Sequence, residues 1–165
     1  MIHCTFENDS PALLRHVTVD VVLFSQDKTQ VVLVRRAPFL SNPNKLAVPG
    51  GYLDRDETLE QGALRECKEE TGYRAKLISL FQIIDAPDRP QEDRQNISFV
   101  FLGIAEELVA HPDNESSEIT WYNLDKLPDK NEFAFDHYEL LQSVLEYGKT
   151  PFILPQIISH RKNDI

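Results

Sequence analysis

The stretch Gly51–Tyr73, GYLDRDETLEQGALRECKEETGY, constrains this chain more than any other. A glycine turn feeds a helix whose second half crowds acids beside one arginine. Thr58 and Gln61 fit a capping box at the helix start, and Gly72 fits the left-handed position past its end, so the spacing predicts a helix over about Leu59–Thr71. Within it Glu66, Glu69 and Glu70 stand at i, i+3 and i+4 and point to neighbouring parts of one face. Like charges at that spacing cost about 0.2–0.5 kcal/mol per pair. Glu70 also falls seven residues after Ala63, on the side of the apolar stripe Leu59, Ala63 and Cys67, whereas a merely solvated acidic face would lie opposite it. A hard cation resolves the conflict, because Mg2+ takes carboxylate oxygens and reaches substrate phosphates through its remaining positions.

These residues resemble the box of the Nudix hydrolases, G-x5-E-x7-R-E-U-x-E-E-x-G-U with U a bulky aliphatic residue. Gly51, Glu57, Arg65, Glu66, Glu69, Glu70 and Gly72 all fall on it in register, while Cys67 and Tyr73 occupy the U positions. The resemblance covers about residues 16 to 147 and implies an α/β fold, the Nudix α/β/α sandwich with a mixed β-sheet. It implies Glu57, Glu66, Glu69 and Glu70 as metal ligands, joined by the Gly50 carbonyl, with Mg2+ the expected ion and Mn2+ an alternative. Arg65 then supports the site by holding a carboxylate in orientation. Family members also place a catalytic glutamate on a loop before a late strand marked by Trp, which here offers Glu115 and Glu118 ahead of Trp121.

Length and charge bound the rest. A chain of 165 residues with 41% hydrophobic and 27% charged residues suits one soluble domain. Its formal charge of -10 argues against general nucleic-acid binding, since no basic excess exists to displace counterions. Anionic substrates must therefore be recruited locally. Cys4 and Cys67 cannot form a disulfide framework and suit reduced thiols in the cytoplasm. The start MIHCTFENDS lacks the pattern of a secretory signal, and the longest apolar stretch, around Ile97 to Ala105, is far below the roughly 20 residues of a membrane helix. The implied partner is a small-molecule nucleotide, not nucleic acid or a membrane, and a homodimer is compatible with it.

Along the chain, His16–Phe24 and Gln30–Arg36 read as a hairpin, Leu46–Val48 as a short strand, Tyr73–Ile84 and Asn96–Ala105 as longer strands, and Ile119–Asn123 as a late one. Asp136–Tyr147 reads as an amphipathic helix closed by Gly148; the tail from Lys149 carries no assignment. The histidines show no metal-binding spacing and read as surface or satisfied polar residues. Arg35 and Arg36 read equally as a solvated pair or as phosphate contacts. The loop Asp85–Arg94 is similar to that of ADP-ribose pyrophosphatase-like Nudix proteins, although Pro90 comes one residue later than in that subgroup. Arg89 and Arg94 there could fork onto phosphate or ribose oxygens. The expected reaction is hydrolysis of a nucleoside diphosphate linked to another moiety, ADP-ribose-like, giving a nucleoside monophosphate and a phosphorylated product. The alternatives are a mutator-type nucleoside triphosphate pyrophosphohydrolase acting on oxidised nucleotides and a non-catalytic nucleotide sensor.

Overall fold

The computed structural model describes residues 2–89 and 95–159. A small antiparallel hairpin, β1 (Ile2–Thr5) and β2 (Pro11–Leu14), precedes the main sheet. The sheet is built from β3 (Val17–Phe24), β4 (Gln30–Arg36), β5 (Leu46–Ala47), β6 (Gly50–Tyr52), β7 (Tyr73–Ile84), β8 (Ile97–Leu108), β9 (Ser116–Asn123) and β10 (Gln156–Ile158). Two helices, α1 (Leu59–Thr71) and α2 (His137–Lys149), cover it. The sheet is mixed: β3 runs parallel to β8 and β10 parallel to β7, while the other pairings are antiparallel.

Alternation along the strands divides the core into two layers. Val19, Val21 and Leu23 of β3 and Val32 of β4 pack with Ala63 and Cys67 of α1. Their neighbours Val22, Phe24, Val31 and Leu33 pack with Leu140, Leu141 and Val144 of α2. The result is the α/β/α sandwich expected from the sequence. Among the described residues no helix is long and apolar enough to cross a membrane.

The structure redraws several elements. The β3–β4 hairpin is joined only at its tight end, Phe24 opposite Val31. Beyond that the strands part. The first half of β3 takes β6 as its partner, and β4 pairs with β9 and β5. This splay opens a cavity between the two leaves of the sheet, which hydrophobic alternation alone could not foretell. The polar leader folds into β1 and β2, and the tail adds β10 at the sheet edge. Gly148 does not close α2, which runs to Lys149 and is capped at Thr150.

Both ends of α1 follow the sequence. Thr58 Oγ1 accepts the Gln61 amide at 3.2 Å, and Gln61 Oε1 accepts the Thr58 amide at 2.8 Å. Such a cap contributes about 1 kcal/mol and fixes where the helix, and hence its acidic face, begins. Gly72 sits at φ 76° and donates its N–H to the Lys68 carbonyl. Its own carbonyl accepts the amides of Val109 and Ala110, while the Asp113 amide bonds to the Glu69 carbonyl at 2.8 Å. The end of α1 thus anchors the loop between β8 and β9.

A Cβ at Gly72 would collide with the Ala110 carbonyl as well as strain a left-handed backbone. We expect Gly72→Ala to lower unfolding free energy in urea by about 2 kcal/mol or more. Gly72→Asn should do no better, although Asn tolerates this backbone, because the collision remains. Unchanged stability in either variant would contradict this anchoring.

Candidate active site

Arg65 gathers the acids. Its Nη2 and Nε reach Glu57 Oε1 and Oε2 at 2.6 and 3.1 Å, a two-pronged fork. Nη1 donates to Glu66 Oε1 at 2.7 Å and Glu69 Oε2 at 3.0 Å, and Nη2 also reaches the Tyr52 carbonyl at 2.9 Å. These contacts, Glu57 first, raise the guanidinium pKa above its ordinary value and hold Glu57 below the usual carboxylate range. Both Glu57 oxygens are engaged by Arg65, and Oε1 accepts the Asp54 amide as well. The structure therefore makes Glu57 the anchor of the arginine.

Glu66 and Glu70 are the desolvated pair. Burial pushes Glu66 up to about 7; Arg65 opposes the rise, while Glu69 and Glu115 add to it. Burial pushes Glu70 up to about 8, against the Gly50 N–H, which donates to its Oε2 at 2.9 Å. Glu70 has no ion-pair partner among the described residues and is only 4% exposed. The turn that meets this pair passes close at Gly51, where a Cβ would lie 2.5 Å from Glu66 Oε1 and displace that carboxyl. The donor set consists of hard carboxyl oxygens in a poorly solvated place, Glu66 and Glu69 sharing one arginine and Glu70 without an ion-pair partner among the described residues, which suits a divalent cation of the Mg2+ type. No ready-made cage of three acids or imidazoles exists among the described residues, because Arg65 and the Gly50 amide draw the carboxylates apart.

A cavity of about 460 Å3 opens beside these groups, with Glu66, Glu69, Gly50 and Gly51 on one wall. Of the two strand-end arginines, Arg36 lines it, bonded through Nε to the Ser41 carbonyl and stacked on Phe135 at 5.1 Å. Arg35 does not line it. Strand alternation turns Arg35 to the opposite side, where it pairs with Glu118, its cross-strand partner on β9, at 2.9 Å. Both Arg35 and Glu118 therefore leave the site. Glu115 stays on the cavity wall and adds to the charge around Glu66.

Arg89 also lines the cavity, but its fork is spent on Asp136 at 3.0 and 2.7 Å. The carboxyl of Asp136 is buried, which works to raise its pKa, yet Arg89 holds it below the ordinary range. Arg94 and Pro90 lie outside the described residues. Sequence reasoning missed several lining residues, among them Asp20, Asp113 and His137. The fit of Asp113 was within reach, since it precedes Glu115 in the same loop. Asp20 and His137 meet only through the tertiary fold.

The comparisons accord with this geometry. The model of the NUDIX domain matches residues 14–144. An ADP-ribose pyrophosphatase of Methanocaldococcus jannaschii is 34% identical over 134 residues, spanning 79% of this chain and 73% of that protein. An 8-oxo-dGTP diphosphatase of Escherichia coli K12 is 32% identical over 78 residues, 46% of this chain and 60% of its own length. The crystal structure of a NUDIX hydrolase from Nitrosomonas europaea superposes with a TM-score of 0.73 at 24% identity, covering 96% of this chain and 94% of that one, a likeness of fold. With Glu57, Glu66 and Glu69 gathered around Arg65 and the family model matching residues 14–144, the chain belongs to the Nudix family.

Proposed function

We propose that this Nudix protein is a Mg2+-dependent pyrophosphohydrolase, Mn2+ substituting, that cleaves a nucleoside diphosphate joined to a second sugar, of the ADP-ribose class. The observation that carries the proposal is the cluster of Glu66 and Glu69 on the wall of a cavity, backed by the buried Glu70. Glu66, Glu69, Glu70 and the Gly50 carbonyl would hold the cation, with Arg65 and Glu57 fixing the carboxylates from behind. A divalent ion supplies neutralisation of phosphate oxygens and an activated water when bound. Arg36, beside the acids, attracts the diphosphate. Glu115 takes the proton from the attacking water, and Glu69 keeps its orientation through Arg65. The identity to an ADP-ribose pyrophosphatase over most of both chains favours a diphosphate sugar. The shorter match to an 8-oxo-dGTP diphosphatase keeps triphosphates as the second reading. A sensor without turnover is disfavoured by the presence of every box acid.

Under this reading ADP-ribose with Mg2+ yields AMP and ribose 5-phosphate, and EDTA abolishes the reaction, as anion-exchange analysis of the products would register. Cleavage of ordinary or oxidised triphosphates with a kcat/KM about a hundredfold above that for ADP-ribose would overturn the substrate assignment.

The placement of the loop acids gives a second outcome. Glu115→Gln should lower kcat by about a hundredfold to ten-thousandfold, the usual range for a general base. Glu118→Gln should leave kcat nearly unchanged, because its partner is Arg35 outside the cavity. Equal losses in the two variants would contradict the assignment.

A further inference from the structure

The cavity lining holds a second polar pair that the acid cluster does not use. Asp20 of β3 and His137 at the start of α2 face each other there, 8% and 5% exposed. Asp20 Oδ1 and His137 Nε2 stand 4.0 Å apart, too far for a direct hydrogen bond. Each side chain is otherwise fixed. The Ser98 hydroxyl donates to Asp20 Oδ2, and His137 Nδ1 accepts the Val48 amide at 3.1 Å. Burial lowers the His137 pKa, so the ring is neutral, and with Nδ1 accepting, its proton belongs on Nε2. The gap therefore presents one acceptor and one donor. Asp136, next to His137, is gripped by Arg89, which holds the start of α2 in place.

An alcohol hydroxyl matches that gap, since it donates one hydrogen bond and accepts another. An oxygen about 2.8 Å from each partner spans it. A cation would satisfy only Asp20 and an anion only His137, while the slight exposure of both side chains leaves little room for the edge of a base. The position also selects which part of a substrate arrives. A Cβ at Gly50 would lie 2.6 Å from Asp20 Oδ1, and the Gly50 N–H donates to Glu70, so a single residue separates this pair from the acid cluster.

We propose that Asp20 and His137 form a hydroxyl-reading subsite that selects ribose over deoxyribose in the sugar attached to the reacting diphosphate. The subsite rests on the reading above, in that the phosphates are cleaved at the acid cluster. Its test is kcat/KM for ADP-ribose against analogues lacking one hydroxyl at a time, on the adenosine ribose or on the terminal ribose, with wild type, Asp20→Asn and His137→Asn. The last variant can keep an acceptor for the Val48 amide while withdrawing the Nε2 donor.

Wild type should discriminate against one deoxy analogue by about tenfold to a hundredfold, chiefly through KM, as for a hydrogen bond to a charged group. The two variants should lose efficiency on the ribose compound and hold it on that analogue, bringing the ratio towards one. The analogue affected tells which of the two sugars is read. A wild-type ratio near one for every hydroxyl overturns the proposal without any variant, as does a ratio unchanged in both variants, or a change in base preference alone. If ADP-ribose is not turned over, the substrate reading fails, and the ratio is measured on ribo and deoxy pairs of triphosphates instead, where the same outcomes decide.

Discussion

Withdrawing two neighbouring carboxyl groups from water, Glu70 fully and Glu66 in large part, is the constraint on which this structure turns. A carboxylate removed from water is costly to keep charged, and in the absence of a partner the group responds by raising its pKa. Glu66 and Glu70 do so, to about 7 and about 8. Nothing in packing asks for them there. The capping box at Thr58 and the left-handed turn at Gly72 fix the helix that forces Glu70 inward, and the Gly50–Gly51 turn closes over it. Arg65 is the counterweight. One guanidinium, braced by Glu57, holds Glu66 and Glu69, while Glu70 has no ion-pair partner among the described residues.

The rest of the fold distributes labour around this point. The α1 layer carries the charge chemistry, and the loop after β8, tied to the carbonyls of Glu69 and Gly72, brings Asp113 and Glu115 to its edge. The α2 layer forms the opposite wall through His137, whose ring is locked to Val48 just ahead of the glycine turn. Where β3 parts from β4, β6 takes the place beside β3. The acid cluster and the Asp20–His137 pair thus both meet the stretch Val48–Gly51.

What could be read from the sequence were the local features. Helix α1, its caps and its acid spacing depend on contacts within a few residues, and strands such as β7 announce themselves by composition. The rest depends on register. Arg35 and Arg36 look alike in sequence, yet the pairing of Arg35 with Glu118 across β4 and β9 removes two candidates at once and leaves Arg36 and Glu115 at the cavity. Arg89 looks like an open fork until Asp136 is found beside it, and that pairing also explains why Asp136 makes no side-chain cap for α2. Gly148 looks like a helix end, but α2 runs past it to Lys149. Asp20 and His137, far apart in the chain, leave no short-range signal at all.

The central claim is that the buried acid pair is built for a divalent cation, and thermal unfolding of wild type and Glu70→Gln with EDTA or Mg2+ tests it. Because the Glu70 pKa is raised on folding, from the ordinary carboxylate value of roughly 4.3 to about 8, its contribution is fully present below the unfolded value. It is lost as pH rises through the folded one. In EDTA the wild-type Tm should therefore fall as pH climbs towards about 8, and Glu70→Gln should fall less and become the more stable protein. Mg2+ should raise the wild-type Tm in that range and give Glu70→Gln little of the gain. A wild-type Tm indifferent to Mg2+, or an equal rise in the variant, would contradict the account.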